Sequence, residues 1–214
     1  MAMAVSLKVN KDVQESEKHK QAFLVLIYPC LQAFDFHLSS YKEFNYDRNK
    51  FSALSRNVMI LFNNLYAFGN NDGFKAFADN KHVTSEMKKK YRNRVDPRIL
   101  QGKYRTDPND DLDADNIYFA EKVARIIFDT RFAPLMASDE ELSKLPPTFV
   151  LTCEYDPLRD EGFILKDRLK SMKHPVTHMH LSGSEHGVML QSFYKVSKTS
   201  IETISQYIRT QVDS

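Results

Sequence analysis

Three short segments with the character of buried strands constrain the fold of this chain most strongly. Phe23–Tyr28 (FLVLIY) is a continuous apolar run that Pro29 closes, and Thr148–Cys153 (TFVLTC) is a second apolar run that follows a Pro-Pro pair. Runs of this length that do not alternate with polar residues are typical of strands buried on both faces of a parallel sheet. Val176–Leu181 (VTHMHL) is predicted to be a third strand.

Helical patterns follow the second and third predicted strands. Apolar residues recur at helical spacing over Leu158–Met172, with acidic residues near the start of this segment and basic residues near its end, as the helix dipole favours. Isoleucines at helical spacing over Ile201–Val212 indicate a closing helix. A strand–helix–strand–helix order with right-handed crossovers predicts the edge of a doubly wound α/β sheet.

A long segment separates the first two predicted strands. Residues 32–145 are rich in Asn, Asp, Lys and Phe, with short helical patches at Val58–Tyr66 and Tyr118–Phe128. We expect a mostly helical insertion over 32–145, and C-terminal strands and helices over 146–214.

Composition excludes several classes of protein. The 214 residues are 42% hydrophobic and 27% charged with a net charge of +2, which is ordinary globular usage and gives no electrostatic case for a nucleic-acid partner. The sequence contains no apolar run near the roughly 20 residues of a membrane helix, and no signal peptide is predicted. Cys30 and Cys153 are both expected to be buried thiols, and a single disulfide between them stays open.

Candidate catalytic residues lie in the loops that follow the second and third predicted strands. Asp156 follows the second strand and His186 follows the third. Ligands bind at the carboxyl ends of parallel strands, so both side chains are placed where chemistry is expected. An Asp followed by a His is also the order that ends a Ser…Asp…His triad. The alternative is structural, because Asp-Pro is a common turn opener and a His flanked by glycine is often a surface residue.

A resemblance to a known family favours the catalytic interpretation. From Leu24 onward the chain resembles the C-terminal half of the arylacetamide deacetylase family, which lies in the hormone-sensitive-lipase group of α/β hydrolases together with neutral cholesterol ester hydrolase. The middle third of the chain resembles the family only loosely. The matching segments are Leu26–Pro29, Ser39–Glu43, Leu145–Gly162, Val176–Leu181 and Gly183–Gly187.

The resemblance implies a fold and a function. Residues 1–214 would be a partial α/β-hydrolase domain, the C-terminal edge of its sheet, with residues 32–145 as a cap-like insertion. Asp156 would be the acid and His186 the base of the catalytic triad, with a carboxylate oxygen within about 3.5 Å of an imidazole nitrogen. The substrate would be a small ester, an acetamide or a lipid ester, and no cofactor or metal is expected. A full-length form would lie at the endoplasmic reticulum membrane, although no membrane anchor is predicted in this chain.

The nucleophile that the family uses is not found in this sequence. Family members carry their serine in a Gly-Asp-Ser-Ala-Gly-Gly turn, but no G-x-S-x-G sequence and no His-Gly-Gly-Gly oxyanion loop occur here. We therefore expect the C-terminal part of a serine ester hydrolase, inactive on its own. The alternative is a non-catalytic truncated isoform, or a fragment that binds a partner.

Two motifs suggest a metal but fail on their spacing. Asp111, Asp113 and Asp115 open like a calcium-binding EF-hand loop, yet the glycine and the glutamate that such a loop needs further along do not follow. His178 and His180 share one face of a strand, but no third ligand lies at useful spacing.

Two further segments have simple structural interpretations. The basic run Lys88–Arg94 is expected to be a solvated surface. The Phe-rich stretch Phe62–Phe77 is equally compatible with an acyl pocket and with ordinary hydrophobic core.

Overall fold

A three-stranded parallel sheet organises the molecule. The computed structural model describes residues 1–12, 21–44 and 54–213, and places β1 (Leu24–Ile27), β2 (Thr148–Tyr155) and β3 (Val176–Glu185) side by side in that order. The prediction of three parallel strands is confirmed. β2 and β3 extend further at their carboxyl ends than the apolar pattern indicated, because the final residues of both strands are polar or aromatic.

Helices occupy the segments between and around these strands. The predicted helix after β2 is confirmed, and the closing helix begins six residues earlier than the isoleucine pattern indicated. The α-helices in the described residues are α1 (Ala2–Lys11), α2 (Ser39–Glu43), α3 (Arg56–Phe68), α4 (Phe74–Ala78), α5 (Ser85–Tyr91), α6 (Ile117–Ile127), α7 (Asp139–Leu142), α8 (Arg159–Ser171) and α9 (Lys195–Val212). Short 3-10 helices lie at Arg92–Arg94, Pro97–Ile99, Gly102–Tyr104, Pro134–Met136 and Val188–Leu190.

The sheet separates two hydrophobic clusters. On one face, Leu24, Leu26 and Val150 join a large cluster that includes apolar side chains of α1, α8 and the helical segment between β1 and β2. On the other face, Phe149 and Leu151 pack in a smaller cluster with side chains of α9. Helices on both faces are the layering that a parallel sheet needs, since its strands carry apolar side chains on both sides.

The first strand departs from its prediction. Phe23–Tyr28 was expected to be buried on both faces, but Ile27 is 38% exposed and Val25 is only partly buried. Both side chains point to the α9 face, where the hydrophobic cluster is small and does not include Ile27. An apolar sequence does not indicate how much of a strand the neighbouring helix covers, so the exposure of Ile27 could not be predicted from it.

The basic run Lys88–Arg94 also departs from its prediction, because two of its side chains are buried. Lys88 donates hydrogen bonds to the backbone carbonyls of Asn80 and Leu112. Arg92 forms ion pairs with Asp35 at 2.7 Å and with Asp110 at 2.5 Å. Lys88 lies on α5 and Arg92 begins the 3-10 helix that follows it directly, and polar backbone and acidic side chains packed against these positions bury both cations. The expectation of a solvated surface is wrong at these positions.

The two cysteines have different environments. Cys153 is buried in β2, and burial raises the pKa of its thiol to about 12. Cys30 lies beyond Pro29, outside the end of β1, where the residue as a whole is exposed. Its thiol group is nonetheless desolvated by burial, which raises the thiol pKa above its usual range. Both thiols are free in the structure, without a disulfide between them.

The Phe-rich stretch spans both core and surface. Phe77 is fully buried and stacks on His82 with ring centroids 4.2 Å apart, whereas Phe62 is 55% exposed on α3. In the described part of the chain, no helix has both the length and the apolar character needed to cross a membrane.

Candidate active site

Asp156 is held at the carboxyl end of β2 by the turn that starts α8. Its side chain is fully buried, and its Oδ1 accepts the backbone N–H of Leu158 at 2.9 Å. Its backbone carbonyl accepts the N–H of Arg159, which begins the helix. An Asp that accepts an N–H two residues later forms a local turn, so the Asp-Pro sequence itself fixes this carboxylate.

His186 lies beside this carboxylate, at the carboxyl end of the neighbouring strand. Its Nδ1 is 2.9 Å from Oδ2 of Asp156, within the 3.5 Å expected, and its side chain is 26% exposed. Gly187 follows with a φ of 83°, a left-handed conformation that glycine adopts without a steric penalty and that turns the chain away from the ring. The hydrogen-bond pattern assigns the proton to Nδ1, because a carboxylate only accepts.

The second ring nitrogen of His186 is available for chemistry. No hydrogen bond to Nε2 is formed within residues 1–12, 21–44 and 54–213. An imidazole whose Nδ1 proton is held by a buried carboxylate presents a lone pair at Nε2, which is the arrangement of a general base.

Close packing of α8 on β2 positions the turn that carries Asp156. A Cβ atom added at Gly162 would lie 2.3 Å from Cγ2 of Thr152, so only glycine lets the helix approach this strand so closely. The hydroxyl of buried Thr152 is 2.9 Å from Nε2 of His178 and 2.9 Å from Nδ1 of His180.

The two histidines of β3 therefore have a structural partner. Burial lowers the pKa of His178 to about 4, which keeps this ring neutral near pH 7. They share one face of the strand, as predicted, and the described residues contain no group of three or more His, Cys, Asp or Glu side chains arranged to hold a metal.

Charged residues in the first turn of α8 connect the site to the segment after β1, and the sequence reading did not single them out as site residues. The Arg159 guanidinium is fully buried and pairs with Asp160 at 3.0 Å and with Glu43 at 2.9 Å. Asp160 also accepts the hydroxyl of Ser39 and the backbone N–H of Ser40, both at 2.7 Å. These contacts hold the start of α8 against α2.

Glu161 forms a second connection to the same segment. Its carboxylate accepts the backbone N–H of Leu31 at 2.5 Å, the hydroxyl of Tyr41 at 2.6 Å, and both the backbone and side-chain amides of Gln32. Burial raises the pKa of Glu161 to about 7, although these four donors favour the ionised form. Glu161 lies about 120–130 residues after its hydrogen-bond donors, so its carboxylate fixes the position of the segment after β1 relative to α8.

Tyr28 completes the immediate surroundings of His186. The two rings have centroids 4.7 Å apart and planes inclined at 53°. Sequence reasoning placed Tyr28 at the end of the first strand without giving it a role, and the local sequence does not indicate the left-handed backbone found there, since a residue before proline favours extended backbone.

Comparison with known proteins identifies the fold. The model of a family described by its alpha/beta hydrolase fold matches residues 101–190. An esterase from the fungus Rhizomucor miehei superposes with a TM-score of 0.60 at 20% identity, covering 98% of this chain and 47% of that protein. The thermophilic carboxylesterase EstE1 from a metagenomic library gives a TM-score of 0.58 at 19% identity over 98% of this chain and 50% of its own. The chain therefore carries an α/β-hydrolase fold.

Within proteins of the α/β-hydrolase fold, sequence comparison identifies relatives of this chain. Arylacetamide deacetylase of Bos taurus is 32% identical over 207 residues, covering 97% of this chain and 49% of the relative. Neutral cholesterol ester hydrolase 1 of Bos taurus is 30% identical over 217 residues, covering 98% of this chain and 51% of the relative. The chain is a homologue of the arylacetamide deacetylases, and it spans about half the length of these relatives.

Proposed function

We propose that this chain supplies the acid and base of a serine-type carboxylic ester hydrolase, with Asp156 as the acid and His186 as the base. The hydrogen bond of 2.9 Å between the two side chains, at the carboxyl ends of neighbouring parallel strands, carries this proposal. In it, the chain is the C-terminal part of the enzyme, and residues 32–145 form a cap over the substrate.

The proposed chemistry follows from the two side chains. Nε2 of His186 takes the proton of a serine hydroxyl as that oxygen attacks the ester carbonyl, and then returns the proton to the departing alcohol. The buried Asp156 carboxylate holds the ring and stabilises the imidazolium that forms between these steps. The serine and the oxyanion donors are not encoded in a recognisable motif here, so in this proposal a segment outside these 214 residues supplies them.

The proposed substrates are small esters, acetamides or lipid esters. Two exposed apolar side chains that follow His186 closely in the sequence support an apolar acyl group: Leu190 is 88% exposed and Phe193 is 73% exposed. The names of the relatives, an arylacetamide deacetylase and a cholesterol ester hydrolase, point to the same classes of substrate.

The longest reading frame that contains these residues provides the test. Its sequence upstream of Met1 should encode a Gly-Asp-Ser-Ala-Gly-Gly stretch, and its protein should hydrolyse p-nitrophenyl acetate or butyrate. His186→Ala should abolish that turnover, and Asp156→Asn should lower kcat by about four orders of magnitude, because the ring loses its correct tautomer.

A matched control separates the site from the fold. His174 lies at the amino end of β3, where its Nε2 is 3.1 Å from the carbonyl of Pro146, so His174→Ala should leave the turnover intact. Turnover that survives His186→Ala would refute the assignment of the base.

A non-catalytic product that binds a partner is the second candidate. The observation that favours it is the outer edge of β1, which pairs with no other strand within the described residues. An in-frame stop codon directly upstream of Met1 would favour this function over the first.

A further inference from the structure

The backbone of Tyr28 adopts an unusual conformation at the end of β1. Its φ is 34°, in the left-handed region that residues with a bulky side chain rarely occupy. Its backbone N–H still donates to the carbonyl of Leu151 at 2.8 Å, so the residue remains attached to the sheet. Strained residues of this kind persist where the surrounding structure requires them, and they concentrate at functional sites.

The left-handed conformation moves the Tyr28 side chain to the opposite face of the sheet. Side chains of a regular strand alternate, so Tyr28 should point to the same face as Leu24 and Leu26. Those two leucines belong to the large cluster under α1 and α8. Tyr28 instead packs with Val25 against the smaller cluster on the α9 face, which is the face that holds His186.

On that face, Tyr28 contacts His186 and lies close to the backbone of Met189. Its ring packs at 4.7 Å from the imidazole, and the backbone N–H of Met189 lies near enough to favour the charged phenol. Burial is the larger effect and raises the pKa of Tyr28, so the phenol is neutral. Because the hydrogen bond to Asp156 fixes only one edge of the imidazole, the tilted contact with the Tyr28 ring is a second restraint on its orientation.

We propose that Tyr28 is a positioning residue for His186: its left-handed backbone turns the aromatic ring against the imidazole and holds Nδ1 towards Asp156. Nε2 is thereby left pointing to the open side of the site. This inference rests on the proposed function, because the orientation of His186 matters for catalysis only if His186 is the base. Its test does not require turnover.

The test measures the His186 ring in the 214-residue chain. The hydrogen-bonded Nδ1 proton of His186 should give a low-field proton NMR resonance that Asp156→Asn removes. Tyr28→Asn keeps a residue that tolerates the left-handed backbone but lacks the aromatic ring, so it should abolish that resonance through exchange with water. Tyr28→Phe keeps the ring and should preserve the resonance.

A chemical measurement covers variants that are too dilute for NMR. Diethyl pyrocarbonate acylates neutral imidazole nitrogens, and peptide mass spectrometry gives the rate at each histidine. Tyr28→Asn, and Tyr28→Leu as a second ring-free variant, should raise the rate at His186 several-fold and leave the rate at His174 unchanged. Tyr28→Phe should match the original chain at both positions.

The outcomes separate this inference from the proposed function. A folded ring-free variant that keeps the Nδ1 resonance and the original acylation rate at His186 would overturn the role of Tyr28. A wild-type chain without the resonance would overturn it as well, since the ring would not be held. The proposed function is judged separately, by turnover of the longer form.

Discussion

Gly162→Ala should destabilise the chain because of one methyl group on β2. The new Cβ would lie 2.3 Å from Cγ2 of Thr152, more than 1 Å inside an ordinary contact, while its next neighbour, Cγ1 of Val150, is at a tolerable 3.6 Å. Thr152 is 1% exposed and its hydroxyl contacts two histidines, so it has little freedom to move. Overpacking of this kind costs about 1–3 kcal/mol, against which the higher helix propensity of alanine returns up to about 1 kcal/mol.

A double-mutant cycle isolates this contact. Thr152→Ser removes Cγ2 and keeps the hydroxyl, so adding Gly162→Ala to it should be neutral or stabilising by up to about 1 kcal/mol. Urea denaturation of the four proteins should then give a coupling free energy of about 1–3 kcal/mol, in the range of residues in direct contact.

The cycle also has a clear refuting result. If Gly162→Ala costs the same free energy with threonine and with serine at position 152, the approach of α8 to β2 is not limited by this methyl group. A stabilising Gly162→Ala in the original chain would refute the argument as well, since helix propensity alone would then decide the outcome.

Three further predictions concern activity, pH and association. The 214-residue chain alone should hydrolyse p-nitrophenyl acetate only at a background rate that His186→Ala does not change. If this substitution lowered the rate, the inference that the nucleophile lies outside these residues would be wrong. Burial lowers the pKa of His82 to about 4, so the unfolded chain binds a proton at this ring at a higher pH than the folded chain does. The corresponding part of the free energy of unfolding, up to about 3 kcal/mol, is therefore present above pH 6.5 and is lost as the pH falls through 4. Urea denaturation at several pH values should show that the free energy of unfolding falls less steeply below pH 6.5 in His82→Phe than in the original chain. Equal slopes in the two proteins would refute this prediction. Glu161 has the opposite pH dependence, but it is present in both proteins and cancels in the comparison. The chain should be marginal as a monomer and prone to associate through β1, so Ile27→Lys should shift size-exclusion elution towards the monomer. Ile117→Lys, at the exposed first residue of α6, should not shift it. A cooperative monomer with several kcal/mol of stability would refute this expectation.

The parallel sheet was predictable from sequence because its signals are local. The runs FLVLIY and TFVLTC show no alternation, which indicates strands of a parallel sheet, although only the second run is buried on both faces. The helix between β2 and β3 repeats its apolar residues at helical spacing. The placement of Asp156 and His186 followed from the same reasoning, since both loops had to emerge at one edge of the sheet.

Several tertiary contacts and the backbone turn beside His186 were not predictable in this way. Lys88 and Arg92 are buried by partners outside the basic run, among them Leu112 for Lys88 and Asp35 for Arg92, and a basic run looks the same whether or not such partners exist. The left-handed turn at Tyr28 leaves no pattern either, because any aromatic residue before a proline would look alike. Both features depend on tertiary packing, which overrides local preference.

The first turn of α8 shows why the site needs the segment after β1. Asp160 and Glu161 are fully buried carboxylates, and each of them accepts hydrogen bonds from that segment. A buried charge that loses its partner costs several kcal/mol, so the positions of α8 and of this segment are coupled. Asp156 begins the turn into α8, and Tyr28 ends the strand that leads into the segment. Asp156 and Tyr28 both contact the His186 ring, and the buried contacts between α8 and this segment couple their positions, although they are 128 positions apart in the chain.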